Sequence, residues 1–309
     1  MTFADLEFTV GLESPFNLDY TLESGQVFRW ERRGEWWYGV VSGEVLKARQ
    51  EGSALRLDAS SDLISSEFVR RYFRLDEDLD PIISSIAKDK VIREAVQKFY
   101  GTRLVRQERW ECLASFLLAT NANIPRIKKM VSAVCAKYGQ SFEFEGVEHH
   151  SFPKPEALAS AKVEDLRACG LGYRAPFLKH VATSVELGKV DFSELAMRDY
   201  EDARSSMLEK LFGEKLLLGV GPKVADCVLL YSCDKDESFP IDVWIAKVLA
   251  SSYPRLIAPE VRKKLAREGK AKIGKGDYEA ISRSARRYFG PHAGYAQQYL
   301  YMAARASED

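Results

Sequence analysis

Two glycines one residue apart, Gly219 and Gly221, lie between two helical patterns and are followed at once by Pro222. No other stretch constrains the chain more. Glycine permits a tight turn with positive φ that a side chain would obstruct. Proline suits the first helical position, where its missing N–H leaves nothing unpaired. Val224, Val228 and Tyr231 then recur at helical spacing, so Lys223 and Cys227 share another face, one turn apart. The spacing predicts a helix, a hairpin and a second helix whose first amides are free to attract an anion. Asp242 stands before Val243-Trp244-Ile245-Ala246, where an N-cap is expected. Alone, each feature has an ordinary reading: a connector, a surface amine, a cap. Together they set one amine and one carboxylate beside a phosphate-gripping backbone, a combination suited to covalent chemistry on a DNA sugar.

At 309 residues the chain has room for two or three domains. Its formal net charge of zero argues against a protein that coats nucleic acid nonspecifically. The charge is uneven, however. Between Arg255 and Arg287 eleven Lys/Arg face four Asp/Glu, and Arg103, Arg106, Arg109, Arg126, Lys128 and Lys129 form a second basic stretch. One basic face is enough to hold DNA. No uncharged apolar run reaches the length of a membrane span. The first twenty residues carry Asp5, Glu7 and Glu13 and lack the basic start of a secretory signal. The five cysteines (Cys112, Cys135, Cys169, Cys227, Cys233) form no CxxC pair and read as reduced intracellular thiols. None follows Cys233, which excludes a four-cysteine iron–sulfur loop downstream of the hairpin.

The first hundred residues differ in texture from the rest. Residues 35–41 and 54–58 read as strands, with turns at Arg33-Gly34, Ser42-Gly43 and Glu51-Gly52. Residues 62–72 and 81–99 read as helices. From Glu108 onward the periodicity is almost wholly helical, with segments predicted at 111–119, 125–138, 162–169, 175–187, 200–211, 222–233, 243–251, 259–268, 278–289 and 292–304. The fold class is α+β: an antiparallel sheet with helices over residues 1–100, then a helical domain over 101–309 with a helix–hairpin–helix near 204–233.

On these residues, LLGVGPKVADC followed by FPIDVWIAKVL resembles the helix–hairpin–helix DNA glycosylases. The detail is similar to their 8-oxoguanine branch. FNLDYTLESGQVFRW near the start, TNANIPRI at 120–127, LGYRAPFL at 171–178 and GPHAGYAQQYLY at 290–301 each resemble that branch, in the same order. The likeness implies a TBP-like sheet domain ahead of the glycosylase domain. It implies a base-excision-repair enzyme that flips a damaged nucleotide from duplex DNA. Lys223 then matches the family's nucleophile, and Asp242 the carboxylate that stabilises charge on the sugar. Such a lysine must act as the free amine. Asp242, at a helix N-terminus, is expected to stay ionised.

The pocket also comes from the resemblance. Gln297 reads the base edge, Tyr301 and Cys227 cover its two faces, and Gly25, with Gln26 beside it, offers a carbonyl to the N7–H of 8-oxoguanine. Asn121, Arg126, Tyr173 and Arg174 match residues that fill the gap and contact the opposite cytosine. Gly219 and Gly221 would hold phosphate. No metal-ligating side chains are readable. No cofactor is implied beyond a structural cation at the hairpin. The implied partner is double-stranded DNA containing 8-oxoguanine, engaged by a monomer without a membrane, in the nucleoid-bearing cytoplasm of a prokaryote or the nucleus of a eukaryote.

Three positions depart from the family pattern: Ala122 within Asn121-Ala122-Asn123, Trp244 where histidine is common, and Tyr301 where phenylalanine is usual. None touches the Lys/Asp pair. Lys223 disfavours a purely hydrolytic alkylated-base glycosylase, which keeps the aspartate without this lysine. A noncatalytic hairpin module would leave the pocket residues unexplained.

Overall fold

The computed structural model describes residues 6–211, 214–268 and 273–307. Five strands, β1 (Leu6–Gly11), β2 (Trp30–Arg33), β3 (Trp36–Val41), β4 (Glu44–Glu51) and β5 (Ala54–Ala59), form one antiparallel sheet in the order β1-β5-β4-β3-β2. Their alternation sets the two faces. Leu55, Leu57 and Ala59 of β5 and Trp37 and Val41 of β3 turn inward. They meet Leu18, Leu22, Val69 and Phe73 in a core of their own. The three predicted turns connect these strands.

Local capping explains where the helices depart from expectation. The helix expected over 62–72 begins at Ser66, because the Ser65 hydroxyl accepts from the Phe68 amide. The continuous helix expected over 81–99 is two, Leu79–Ile86 and Lys90–Lys98. Asp89 divides them: its carboxylate accepts from the Val91 and Ile92 amides and starts a new helix. Ile82, Ile86, Ile92 and Val96 of this pair join the second core, not the sheet's.

That second core is centred on the helix Arg109–Leu118, in which Cys112 to Leu118 are all buried. Around it pack Ile124–Tyr138, Ala175–Glu186, Tyr200–Met207, Pro222–Ser232, Val243–Ser252, Lys275–Phe289 and Ala293–Arg305. The helix Tyr200–Met207 is shorter than its pattern predicts. A short ribbon, Lys210–Leu211 with Glu214–Lys215, replaces its end. Another ribbon, Ser141–Phe144 with Val147–His150, and the short helices Pro155–Ser160 and Phe192–Met197 carry no period long enough to read. Among the described residues no helix is long and apolar enough to cross a membrane. Lys270 and Lys272 of the basic stretch lie outside the described residues.

Candidate active site and DNA-facing surface

The hairpin turns at Leu217–Val220, where the Val220 amide donates to the Leu217 carbonyl at 3.1 Å. Gly219 has φ +85, and a Cβ there would lie 2.7 Å from the Phe177 ring. Gly221 differs from the sequence expectation. Its backbone is extended (φ −113, ψ 179), so it supplies no positive φ. It instead caps the helix Pro222–Ser232 without a side chain, leaving the first amides of that helix without a side-chain acceptor. The result is an open anion position.

Lys223 is half-buried on this helix, its amine 5.0 Å from the centroid of the Phe116 ring. Cys227 lies one turn on and is buried. Burial pushes its thiol up to about 11, against the pull of the Lys223 charge, so it presents a neutral sulfur. Asp242 caps the helix Val243–Ser252, accepting at Oδ1 from the Trp244 amide (3.0 Å) and the Ile245 amide (2.9 Å). Burial raises its carboxyl above the ordinary range, while those amides and Lys223 oppose the rise. The helix terminus alone predicts a shift in the other direction; desolvation is the larger effect.

The remaining wall comes from the chain's two ends. Tyr301, on the helix Ala293–Arg305, is pushed up to about 12 by burial and then by the nearby Asp242 charge. One turn earlier Gln297 is only 4% exposed, and its Oε1 has no hydrogen-bond partner. Gly25, at φ +79, packs against Tyr301 and Ile124. Its loop is braced on both sides. The Gln298 amide donates to the Ser24 carbonyl (2.9 Å) and accepts from the Tyr231 hydroxyl (2.6 Å). Tyr231 stacks on Phe116, the ring beneath the Lys223 amine.

Gln26 is not a pocket residue in this arrangement. Fully buried, its Nε2 donates to Ser24 Oγ and to the Thr21 and Arg103 carbonyls, and its Oε1 accepts from the Val105 amide. Both polar atoms of its side chain are taken up inside the protein, so the Gln26 side chain shapes the Gly25 loop and offers a base nothing. Sequence reasoning missed Gln298, Tyr231 and Phe116. The one available signal was a pair of adjacent glutamines, Gln297-Gln298, inside a mostly apolar helix.

A second cluster lies at the loop before Ile124–Tyr138. Asn121 has φ +53, and its Nδ2 donates to the Tyr173 hydroxyl at 3.1 Å. Tyr173 is 49% exposed, as a wedge requires. Arg126 is exposed on the first turn of the helix, which Asn123 caps. Arg174 is placed otherwise than expected. It is 1% exposed, its guanidinium bonded to the carbonyls of Thr120, Asn121 and Leu171 and stacked 4.5 Å from the Tyr173 ring. Here it builds the loop, and only Arg126 of the two arginines is presented outward.

A hairpin whose second helix starts without a side-chain cap, with a lysine on that helix close to a capping carboxylate in a helical domain, is the arrangement of the helix–hairpin–helix DNA glycosylase class. Residues 114–270 match the HhH-GPD superfamily of base excision DNA repair proteins, and residues 10–113 match the 8-oxoguanine DNA glycosylase N-terminal domain. The chain therefore belongs to the 8-oxoguanine DNA glycosylase family of that superfamily. It is 29% identical to a probable N-glycosylase/DNA lyase of Methanothermobacter thermautotrophicus, over 94% of each chain. It is 30% identical to the N-glycosylase/DNA lyase of Saccharomyces cerevisiae, over 78% of this chain and 69% of that one. Among solved structures, the Clostridium acetobutylicum 8-oxoguanine glycosylase/lyase, bound to double-stranded DNA containing cytosine opposite 8-oxoguanine, superposes over the whole of both chains with a TM-score of 0.85 at 26% identity.

Proposed function

We propose that the protein removes 8-oxoguanine from duplex DNA, preferably opposite cytosine, and then cuts the strand as an AP lyase, with Lys223 as nucleophile and Asp242 as charge stabiliser. The reading is supported by the closeness of Lys223, Cys227 and Tyr301 to Asp242, each within reach of its charge, with Gly25 packed on Tyr301 and the buried Gln297 Oε1, one turn from Tyr301, left without a partner. A buried acceptor left unpaired costs about 1–3 kcal/mol, a cost that a bound base edge would remove.

In this reading the hairpin amides and Gly221 hold the phosphates, Tyr173 wedges into the gap, and Asn121 and Arg126 face the opposite base. As the C1′–N9 bond breaks, the electron pair leaves with the base and Asp242 stabilises the positive sugar. The Lys223 amine bonds to C1′ and loses its proton. Opening of the sugar ring at C1′–O4′ gives a Schiff base, and loss of a C2′ proton expels the 3′ phosphate oxygen. Water then releases Lys223. Gly25 contributes discrimination: guanine has no hydrogen on N7, and an unpaired carbonyl disfavours it by about 1–3 kcal/mol, roughly 5- to 150-fold. No cofactor enters these steps, and a cation at the hairpin would add only to the phosphate grip. All the groups come from one chain, so a monomer suffices. The substrate places the work in the compartment that holds the chromosome, nucleoid or nucleus.

The test is single-turnover release of 8-oxoguanine from duplexes with cytosine, adenine or thymine opposite the lesion. Fastest release opposite cytosine supports the reading; equal rates opposite all three would remove the opposite-base preference from it.

A further inference from the structure

Asp226 is fully buried three residues after Lys223, and no step above uses it. A carboxylate in such a place must be fully satisfied to be tolerated. One oxygen accepts from the Tyr200 hydroxyl (2.7 Å) and the Arg204 Nε (2.6 Å), the other from the Tyr278 hydroxyl (2.7 Å). Tyr200 and Arg204 lie on the first helix of the hairpin motif, Asp226 on the second, and Tyr278 on the helix Lys275–Phe289. Three helices therefore meet at one carboxylate.

The network continues to the catalytic carboxylate. The Tyr278 hydroxyl, having donated to Asp226, accepts from the backbone amide of Ile241 at 3.1 Å. Ile241 immediately precedes Asp242. The segment that leads there belongs to no regular element from Ser238 to Asp242, so nothing periodic fixes it. A second tie comes from Ser238, whose hydroxyl donates to the Asp226 carbonyl at 2.8 Å. The loop carrying Asp242 is thus fastened at two points to the residue one turn beyond Lys223.

We infer that Asp226 and Tyr278 are positioning residues that set Asp242 against Lys223, a role that rests on the catalytic assignment proposed above. The lysine rides on the helix that carries Asp226. The carboxylate is hung from the same residue through one hydroxyl. A misplacement of about 1 Å in such a pair costs on the order of 100-fold in rate.

Tyr278→Phe tests this with the least disturbance, since it deletes one hydroxyl and keeps the ring; Asp226→Asn removes one of the two carboxylates paired with the buried Arg204, leaving Glu279, and is the harsher companion. Two rates are measured on the whole protein: base release from an 8-oxoguanine:cytosine duplex in single turnover, and borohydride capture on a preformed abasic site. The second needs Lys223 but not the carboxylate that stabilises the sugar cation. Tyr278→Phe is expected to slow base release about 10- to 100-fold. It is expected to change capture, and affinity for a duplex carrying a reduced abasic analogue, less than about threefold. Leu57→Ala, in the separate sheet core, supplies a variant of lowered thermal midpoint with both rates intact below its transition. Equal loss in both rates for Tyr278→Phe, or none in either, would overturn the positioning role while wild-type excision stands. A wild-type protein that releases no base would overturn the catalytic assignment and the inference with it.

Discussion

Gly25 and Tyr301, from opposite ends of the chain, close on each other so tightly that a Cβ on Gly25 would lie 3.0 Å from the Tyr301 hydroxyl. The same Cβ would meet Ile124 Cδ1 at 3.1 Å, and the backbone there sits at φ +79. Gly25→Ala therefore meets strain of about 1–3 kcal/mol in the backbone and crowding in the pocket. A fall of more than roughly tenfold in 8-oxoguanine release is expected, with a lowered thermal midpoint. Wild-type release by this variant would contradict the place given to Gly25.

Asp242→Asn separates capping from charge. Asparagine caps a helix about as well as aspartate, so the fold is expected to hold. Loss of the charge is expected to slow base release about 100- to 1,000-fold with DNA affinity retained. The stability effect has a definite sign. Burial lifts the carboxyl above its ordinary 3.8, so its favourable contribution is complete below that value and disappears as pH rises through the folded-state pKa. Once ionised, the buried group costs stability. The variant's thermal midpoint is expected to equal or exceed that of wild type near neutrality, with the advantage vanishing in acid. A variant clearly less stable at neutral pH would show that the amides and Lys223 outweigh burial.

Tyr301 serves through its ring. Base-on-aromatic stacking is worth about 1–3 kcal/mol, so Tyr301→Ala is expected to lose roughly 5- to 150-fold in single-turnover release. Tyr301→Phe restores the residue usual in the family and is expected to stay within about threefold of wild type. Equal impairment in both variants would assign the role to the hydroxyl instead.

The two arginines by the wedge should separate cleanly. Arg174→Ala strands the Asn121 carbonyl and leaves that of Thr120 with only the Tyr173 hydroxyl, and it is expected to cost about 1–3 kcal/mol of stability, read as a lower thermal midpoint. Arg126→Ala is exposed and should leave the midpoint unchanged, while narrowing the rate difference between cytosine and adenine opposite the lesion. A stable Arg174→Ala would reverse the assignment of these two residues.

The features legible in the sequence were those set by neighbours in the chain. Two strands of the sheet, β3 and β5, and the turns that join neighbouring strands were legible, and the hairpin followed from Gly219 and Pro222; β1 and β2 carried no such signal. Asp242 announced itself as a cap. Where partners lie far apart in sequence, the reading stopped. Gln26 adjoins Gly25 in the chain, yet its side-chain amide is held by Arg103 and Val105. Asp226 read as nothing, because Tyr200, Arg204 and Tyr278 come from two other helices. The expectation that Asp242 stays ionised rests on the cap, which is local, whereas the burial that opposes the cap is tertiary and has no signal in the sequence.

The central claim is that the Lys223 amine forms the bond to the sugar. Borohydride reduction during reaction with an 8-oxoguanine:cytosine duplex tests it most directly. Wild-type protein is expected to give a stable protein–DNA adduct whose modified residue, located by peptide mass, is Lys223, and Lys223→Gln is expected to give none. Base release without any adduct, or an adduct that survives in Lys223→Gln, would contradict the account.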